Sequence, residues 1–147
     1  MPEKETLERA RRDKLEGKSP STQAGEFVRE EIEHIREGKH GARSTKQAIA
    51  IGLSKARRAG VDLPPPEEGQ ASEDTREQAQ RDLKKGRSGT RTRSTKRSRA
   101  TSRALKREGR SAASKTALSR QARSVAAKRS AASRSRSAKK AAATRKK

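Results

Sequence analysis

The last 65 residues of the chain carry 24 lysines and arginines against a single acid, Glu108. A folded surface alternates its charges; a block of one sign repels itself in water and seeks a polyanion. Residues 1–82 are balanced, with 16 basic and 17 acidic side chains, so essentially all of the net charge of +22 belongs to the C-terminal part. Apolar content sets the second limit. Leu, Ile, Val and Phe together number 15 of 147 residues, about half of the roughly 20% below which a strongly charged chain is expected to be disordered. The sequence therefore predicts a mainly α protein, with a small helical hairpin module followed by a largely disordered basic tail.

Punctuation residues divide the chain. Residues 1–18 predict a short N-terminal helix with Leu7 and Leu15 on one side and Gly17 as its stop. Residues 19–63 predict the hairpin module. Ser19 caps its first helix and Pro20 suits the first turn. Ala24, Phe27, Val28, Ile32 and Ile35 then recur at helical spacing up to Gly38. Ser44 and Gln47 form a capping box for the second helix, which offers Ile49, Gly52, Leu53 and Ala56 on one face and ends at Gly60. Nine of the 15 large apolar residues fall between Phe27 and Leu63, so any core is expected there, and a second copy or a protein partner would strengthen it. Residues 64–86 predict a proline-rich linker and a short helix ending at Gly86. Residues 87–147 predict the tail, a coil in free solution, with 111–132 turning helical once its charges are neutralised.

Two weak repeats run through this division. Glu8, Ala10, Arg12, Asp13, Gly17 and Ser19 recur 69 positions later as Glu77, Ala79, Arg81, Asp82, Gly86 and Ser88, and Arg-Ser-Ala-Ala-Ser occurs at 110–114 and at 129–133. Two copies do not make a solenoid.

Most catalytic chemistry is excluded by what is missing. The chain has no Cys, Trp or Tyr and one Phe, so disulfides, thiolate metal sites, thiol catalysis and haem attachment are ruled out. His34 and His40 are the only histidines, and no carboxylate cluster accompanies them at metal-ligand spacing, so solvated or packing roles are expected and no metal. Glu30, Glu31, Glu33 and Glu37 read as the polar face of a helix, balanced by Arg29 and Arg36. A buried acid–base pair needs a low-dielectric cleft, which so small a core does not enclose. Neither an enzyme activity nor a cofactor is expected. The opening MPEKETLERARRDK lacks the apolar segment of a signal peptide, and nothing approaches a membrane span, so a cytoplasmic chain without membrane contact is expected.

The remaining chemistry is phosphate binding. GKHGARST, residues 38–45, fails the phosphate-loop pattern because Lys39 follows the first glycine rather than a second one. A softer version keeps Ser44 at a helix N-terminus with Lys39, Arg43 and Lys46 around it, which suits a backbone phosphate; an ordinary turn with solvated lysines and arginines is the alternative. The tail is the stronger signal. Its candidate phosphate contacts are Arg91, Arg93, Lys96, Arg97, Arg99, Arg103, Lys106, Arg107, Lys128, Arg129, Arg134, Arg136, Lys139 and Lys140. Duplex DNA carries about one charge per 1.7 Å of axis, so a tail of this charge neutralises about a dozen base pairs. Single-strand and RNA-recognition modules stack bases on aromatic rings, and Phe27 alone is available, which favours duplex DNA over RNA.

Residues 87–147 resemble the lysine- and alanine-rich C-terminal tails of linker histones and the histone-like proteins of bacteria. STQAGEFVREEIEHIREGKHGARSTKQAIAIGLSKARRAGV, residues 21–61, looks like an uncharacterised family of small basic bacterial proteins whose shared signature is Ser44–Gly60, within the motif RSTKQAIAIGLSKARRAG. Such proteins are often labelled DNA-binding or plasmid-stabilisation proteins. The resemblance implies a bacterial setting and DNA as partner, and carries no catalytic residues. The expected function is non-specific, nucleoid-associated DNA binding. An RNA- or ribosome-associated protein is the alternative, and an adaptor whose hairpin holds a protein partner is the third.

Overall fold

The computed structural model describes residues 1–89 and 94–146. Its described residues form seven α-helices and no strand beyond one isolated bridge, Glu68 to Ala71. The helices are α1 (Lys4–Leu15), α2 (Pro20–Arg36), α3 (Thr45–Arg58), α4 (Glu73–Ser88), α5 (Thr95–Lys106), α6 (Lys115–Lys128) and α7 (Ala131–Arg145), with one 3₁₀ turn at Ser111–Ala113. Helices α2–α7 share one start signal. Ser19, Ser44, Ser72, Ser94, Ser114 and Ser130 each accept the backbone N–H three residues on, which satisfies a donor that a helix N-terminus otherwise leaves open.

α2 and α3 form the central hairpin, with α1 packed on α2 and α4 packed on α3. At the crossing, a side chain on Gly52 would collide with the Val28 backbone, so glycine there sets how closely the two helices approach. Two small cores flank the crossing. One, at the open end, gathers Ala10, Ala24, Phe27, Ala56 and Val61, with Leu7, Leu53 and Leu63 at its edge. The other, at the loop end, gathers Ile32, Ile35, Ala42 and Ala48. It is closed by Ala112 and Ala113 of the basic segment, and Val28 and Leu118 pack against it.

Three expectations change. Leu15 is exposed; α1 buries Thr6, Ala10 and Asp13 instead, because Leu15 lies about 140–180° round the helix from those three. Gly86 does not stop its helix. α4 runs on to Ser88 and ends at Gly89 in the left-handed region, and Gly86 lies where the Arg57 carbonyl crowds out any side chain. The third change is the largest. The tail predicted as disordered contains α5, α6 and α7, and its 105–118 stretch is docked on the hairpin. Alanine, arginine and lysine are strong helix formers, and a serine cap opens each tail helix, so helix formation outweighs the self-repulsion on which the expectation rested.

The 69-residue echo acquires a structural meaning. Asp13 and Asp82 both lie buried on the inner faces of the outer helices, beside Ala10 and Ala79. Asp82 accepts from Ser54 Oγ at 2.6 Å, Arg58 Nε at 2.6 Å and Gln78 Nε2 at 3.1 Å, tying α4 to α3. Asp13 pairs with Lys18 at 2.7 Å. Buried Arg57 donates to the carbonyls of Leu63 and Pro64, both at 3.1 Å, and straps the chain's exit across α3.

Candidate nucleic-acid interface

The hairpin candidates surround the loop between α2 and α3, and they are occupied to different degrees. Lys39 Nζ lies 3.0 Å from Glu37 and 3.2 Å from Glu3. Hydrogen bonds to those two carboxylates hold its ammonium above the ordinary lysine range. Ser44 spends its oxygen on the Gln47 N–H, while the Arg43 N–H donates to Gln47 Oε1 at 2.7 Å. Arg43 is exposed, 3.8 Å from Glu108, and Lys46 is exposed with no ion pair among the described residues. An open cleft of about 640 Å³ separates this loop from the basic segment, and acids share it: Glu37 and Glu108 line it together with Lys106 and Arg110.

The tail candidates are free of such partners. Arg91 and Arg93 lie outside the described residues. Lys96, Arg97, Arg99, Arg103 and Lys106 lie on α5, Arg107 just after it, Lys128 and Arg129 at the end of α6, and Arg134, Arg136, Lys139 and Lys140 on α7. All twelve are exposed, and none forms an ion pair among the described residues. Helical geometry groups some of them. At 100° per residue, Lys96, Arg99, Arg103 and Lys106 fall within an arc of about 80°, while half-buried Ser98 and Leu105 occupy the other side of α5. Arg136, Lys139 and Lys140 likewise share an arc of about 100° on α7. Arg129 turns back to donate to Ser133 Oγ at 3.1 Å.

The basic segment is held to the body by backbone. The N–H groups of Gly41 and Ala42 donate to the carbonyls of Leu105 (2.9 Å) and Gly109 (3.0 Å). Arg36 Nε donates to the Ala113 carbonyl at 2.9 Å, and buried Thr45 Oγ1 donates to the Ala112 carbonyl at 2.7 Å. Gly41 fits because the Glu108 carbonyl occupies the space of a side chain. The latch therefore presents α5 and α6 from a fixed base. Within the segment, Arg110, Lys115, Arg120 and Arg123 are also exposed. They lie in the same one-sign run, which was signal enough to include them.

The acids expected as a solvated polar face divide: Glu33 and Glu37 keep 46% and 58% of their side chains exposed, and the other two are buried. Glu30 and Glu31 are 2% and 1% exposed. Only Arg29 balances a neighbour, Glu33 at 3.0 Å, because Arg36 is taken by the tail carbonyl. Glu31 is instead the meeting point of His34, His40 and Lys55.

A model of a family of unknown function, DUF6496, matches residues 11–67, which span the end of α1, the hairpin and its exit but none of the basic segment. No curated protein and no solved structure matches the chain. No helix of the described residues is long and apolar enough to cross a membrane.

Proposed function

We propose that the chain binds the phosphate backbone of duplex DNA without sequence preference, as a nucleoid-associated, histone-like protein whose basic helices make the contacts. One observation carries this reading. Between residues 94 and 146 no lysine or arginine is in an ion pair among the described residues, so the cations of α5–α7 are left for an external polyanion. Counterion release on neutralising phosphates then supplies the affinity. Sequence reading needs a rigid element seated in a groove with side chains against base edges; α7 contributes no residue to either core and carries only Arg, Lys, Ser, Thr and Ala, a composition suited to phosphates. The resemblance to proteins labelled DNA-binding supports the same partner, and no catalytic step belongs to this function.

The test is a competition titration at two salt concentrations. Engaging 6–10 phosphates predicts an affinity loss of about 10³ to 10⁵ between 50 and 200 mM salt. Scrambled duplexes should compete within about tenfold, whereas specific readers prefer their site by about 10³-fold or more. A thousandfold winner among duplexes would mean a sequence-specific regulator. Structured RNA outcompeting every duplex would place the protein on RNA or ribosomes.

A further inference from the structure

The chain's two histidines converge on one buried carboxylate. Glu31 and His34 lie one helical turn apart at the end of α2, and His40 comes from the following loop. Glu31 Oε1 is 2.9 Å from His40 Nε2 and 3.9 Å from His34 Nδ1. The two rings stand edge to face, 82° apart with centroids at 6.1 Å. Ligand atoms of all three residues lie within 4.8 Å of one another.

The outward nitrogens of both rings also meet acceptors. His34 Nε2 is 2.9 Å from Glu3 Oε1, and His40 Nδ1 is 2.9 Å from the Gly41 carbonyl. A neutral imidazole has one N–H. Donated inward to Glu31, it leaves the outer acceptor facing a lone pair; donated outward, it leaves a bare lone pair on the inner nitrogen aimed at a carboxylate. Lone pairs facing a carboxylate repel unless a cation lies between them. An N–H donated away to a carboxylate or carbonyl is also the arrangement that orients histidine as a metal ligand.

Charge points the same way. Buried Glu30 and Glu31 both lie against one ammonium group, that of Lys55. Glu30 Oε1 and Glu31 Oε2 are buried and receive no hydrogen bond; Lys55 Nζ lies 2.9 Å from the latter as an ion pair and donates to Glu31 Oε1 at 3.1 Å. Two buried carboxylates on one ammonium are short of positive charge.

We propose that Glu31, His34 and His40 bind one divalent transition ion of the zinc class, through Glu31 Oε1, His34 Nδ1 and His40 Nε2, with Lys55 giving up its bond to Oε1 and keeping its ion pair with Oε2. Two imidazoles and one carboxylate suit zinc and its neighbours rather than the oxygen-seeking magnesium or calcium. Zinc–ligand bonds of about 2.0–2.1 Å bring tetrahedral ligand atoms to about 3.3 Å of one another, so the three side chains need to close only modestly. Glu3 and the Gly41 carbonyl act as positioning groups that hold the rings. Because His40 adjoins Gly41 and Ala42, the ion also steadies the loop that grips the basic segment.

The experiment titrates the chelator-treated full chain with zinc by calorimetry at neutral pH, with magnesium as control. Cobalt(II) is added separately, and its visible absorption is read as a coordination signature. One zinc per chain, a tetrahedral-type cobalt spectrum and a raised thermal midpoint are expected, with magnesium inert. His34→Gln and His40→Gln should each weaken binding by more than the roughly 10–100-fold typical of losing an outer partner, and Glu3→Gln by about that 10–100-fold. Circular dichroism without zinc reports whether each variant folds. Should the histidine variants fail to fold, Glu3→Gln, at an exposed residue, decides alone. No saturable binding, or binding unchanged in the decisive variants, overturns the proposal. So do two histidines that hold both ring protons at neutral pH, seen by nuclear magnetic resonance, and keep them when zinc is added; two imidazolium ions would then meet the charge shortfall.

Discussion

Between residues 1 and 89, opposite charges hold elements together: Arg9 to Glu26 across α1 and α2, Lys55 to Glu31 across α2 and α3, Arg58 to Asp82 across α3 and α4, Arg87 to Asp62 across the exit. Beyond residue 94 the lysines and arginines form no ion pair among the described residues. Glu108 is the one acid there, and its partner, Arg43, belongs to the body. What ties the second region on is mostly its own backbone: four of its carbonyls accept from Gly41 N–H, Ala42 N–H, Arg36 and Thr45, two alanines and Leu118 join a core, and Arg43 lies 3.8 Å from Glu108. The body thus uses its charges for its own cohesion, and the basic region leaves them uncommitted. No lysine or arginine of the described basic segment takes part in that latch, so salt or a polyanion that competes for the segment's cations leaves it intact.

The largest expected effect tests whether affinity belongs to the uncommitted region. Replacing Lys96, Arg99, Arg103, Lys106, Arg134, Arg136, Lys139 and Lys140 together with glutamine should lower duplex affinity by about 10³-fold or more and flatten the salt slope by about 7. The thermal midpoint should hold or rise, since no ion pair is lost and like-charge repulsion is relieved. Unchanged affinity in a gel-shift titration would move the interface into the body and break the comparison.

The opposite case is Phe27→Ala. Phe27 is 1% exposed at the centre of the open-end core, and such truncations cost about 3–5 kcal/mol. Helicity of the body should collapse in thermal circular dichroism, while duplex affinity at low salt should fall only slightly. An affinity loss as large as that of the eight-site variant would show that recognition needs the folded hairpin.

Those two variants were legible in the sequence to different degrees. The hairpin follows from Ser19, Pro20 and Ser44 as caps and from the Ala24–Ile35 stripe, and Gly17, Gly38 and Gly60 all end their helices with positive φ. The latch does not follow. Ala112 and Ala113 contribute nothing to a count of large apolar residues, yet the loop-end core is so small that two methyl groups close it. The Glu31 cluster was hidden for another reason: its carboxylate lies among acids that read as a solvated face, and one of its histidines arrives from a loop. Helical periodicity shows neither the burial of Glu31 nor the return of His40.

A smaller effect probes the junction. Gly41→Ala puts a methyl group onto the Glu108 carbonyl, and overpacking of this kind costs about 1–3 kcal/mol. The expected result is selective loosening. Limited proteolysis should cut near residues 105–111 sooner, core residues of α2 and α3 should keep most of their hydrogen-exchange protection, and duplex affinity should stay within a few-fold of the parent. Uniform loss of protection across α2 and α3 would mean that the basic segment is an integral part of the body and not an attachment to it.

The finest test uses one chemical change in both regions. Ser44 and Ser130 make the same cap, accepting N–H groups three residues on, both at 3.2 Å, and replacement by alanine costs about 1 kcal/mol in either helix. The consequences should differ because the helices are coupled differently. α3 is packed between α2 and α4, so its lost cap lowers the stability of the whole body. For a cooperative unit of 60–100 residues the thermal midpoint should drop by about 4–8 °C. α7 contributes no residue to either core, and a helix of about 15 residues is marginal by itself in water. Ser130→Ala should therefore shorten or melt α7 locally, seen as reduced helical ellipticity at 222 nm, and leave the midpoint where it was. Added duplex DNA should restore that ellipticity, because neutralising Arg134, Arg136, Lys139 and Lys140 removes the repulsion that opposes the helix. A midpoint shift equal to that of Ser44→Ala would show that α7 is coupled to the body after all, and the two regions would then fold as one.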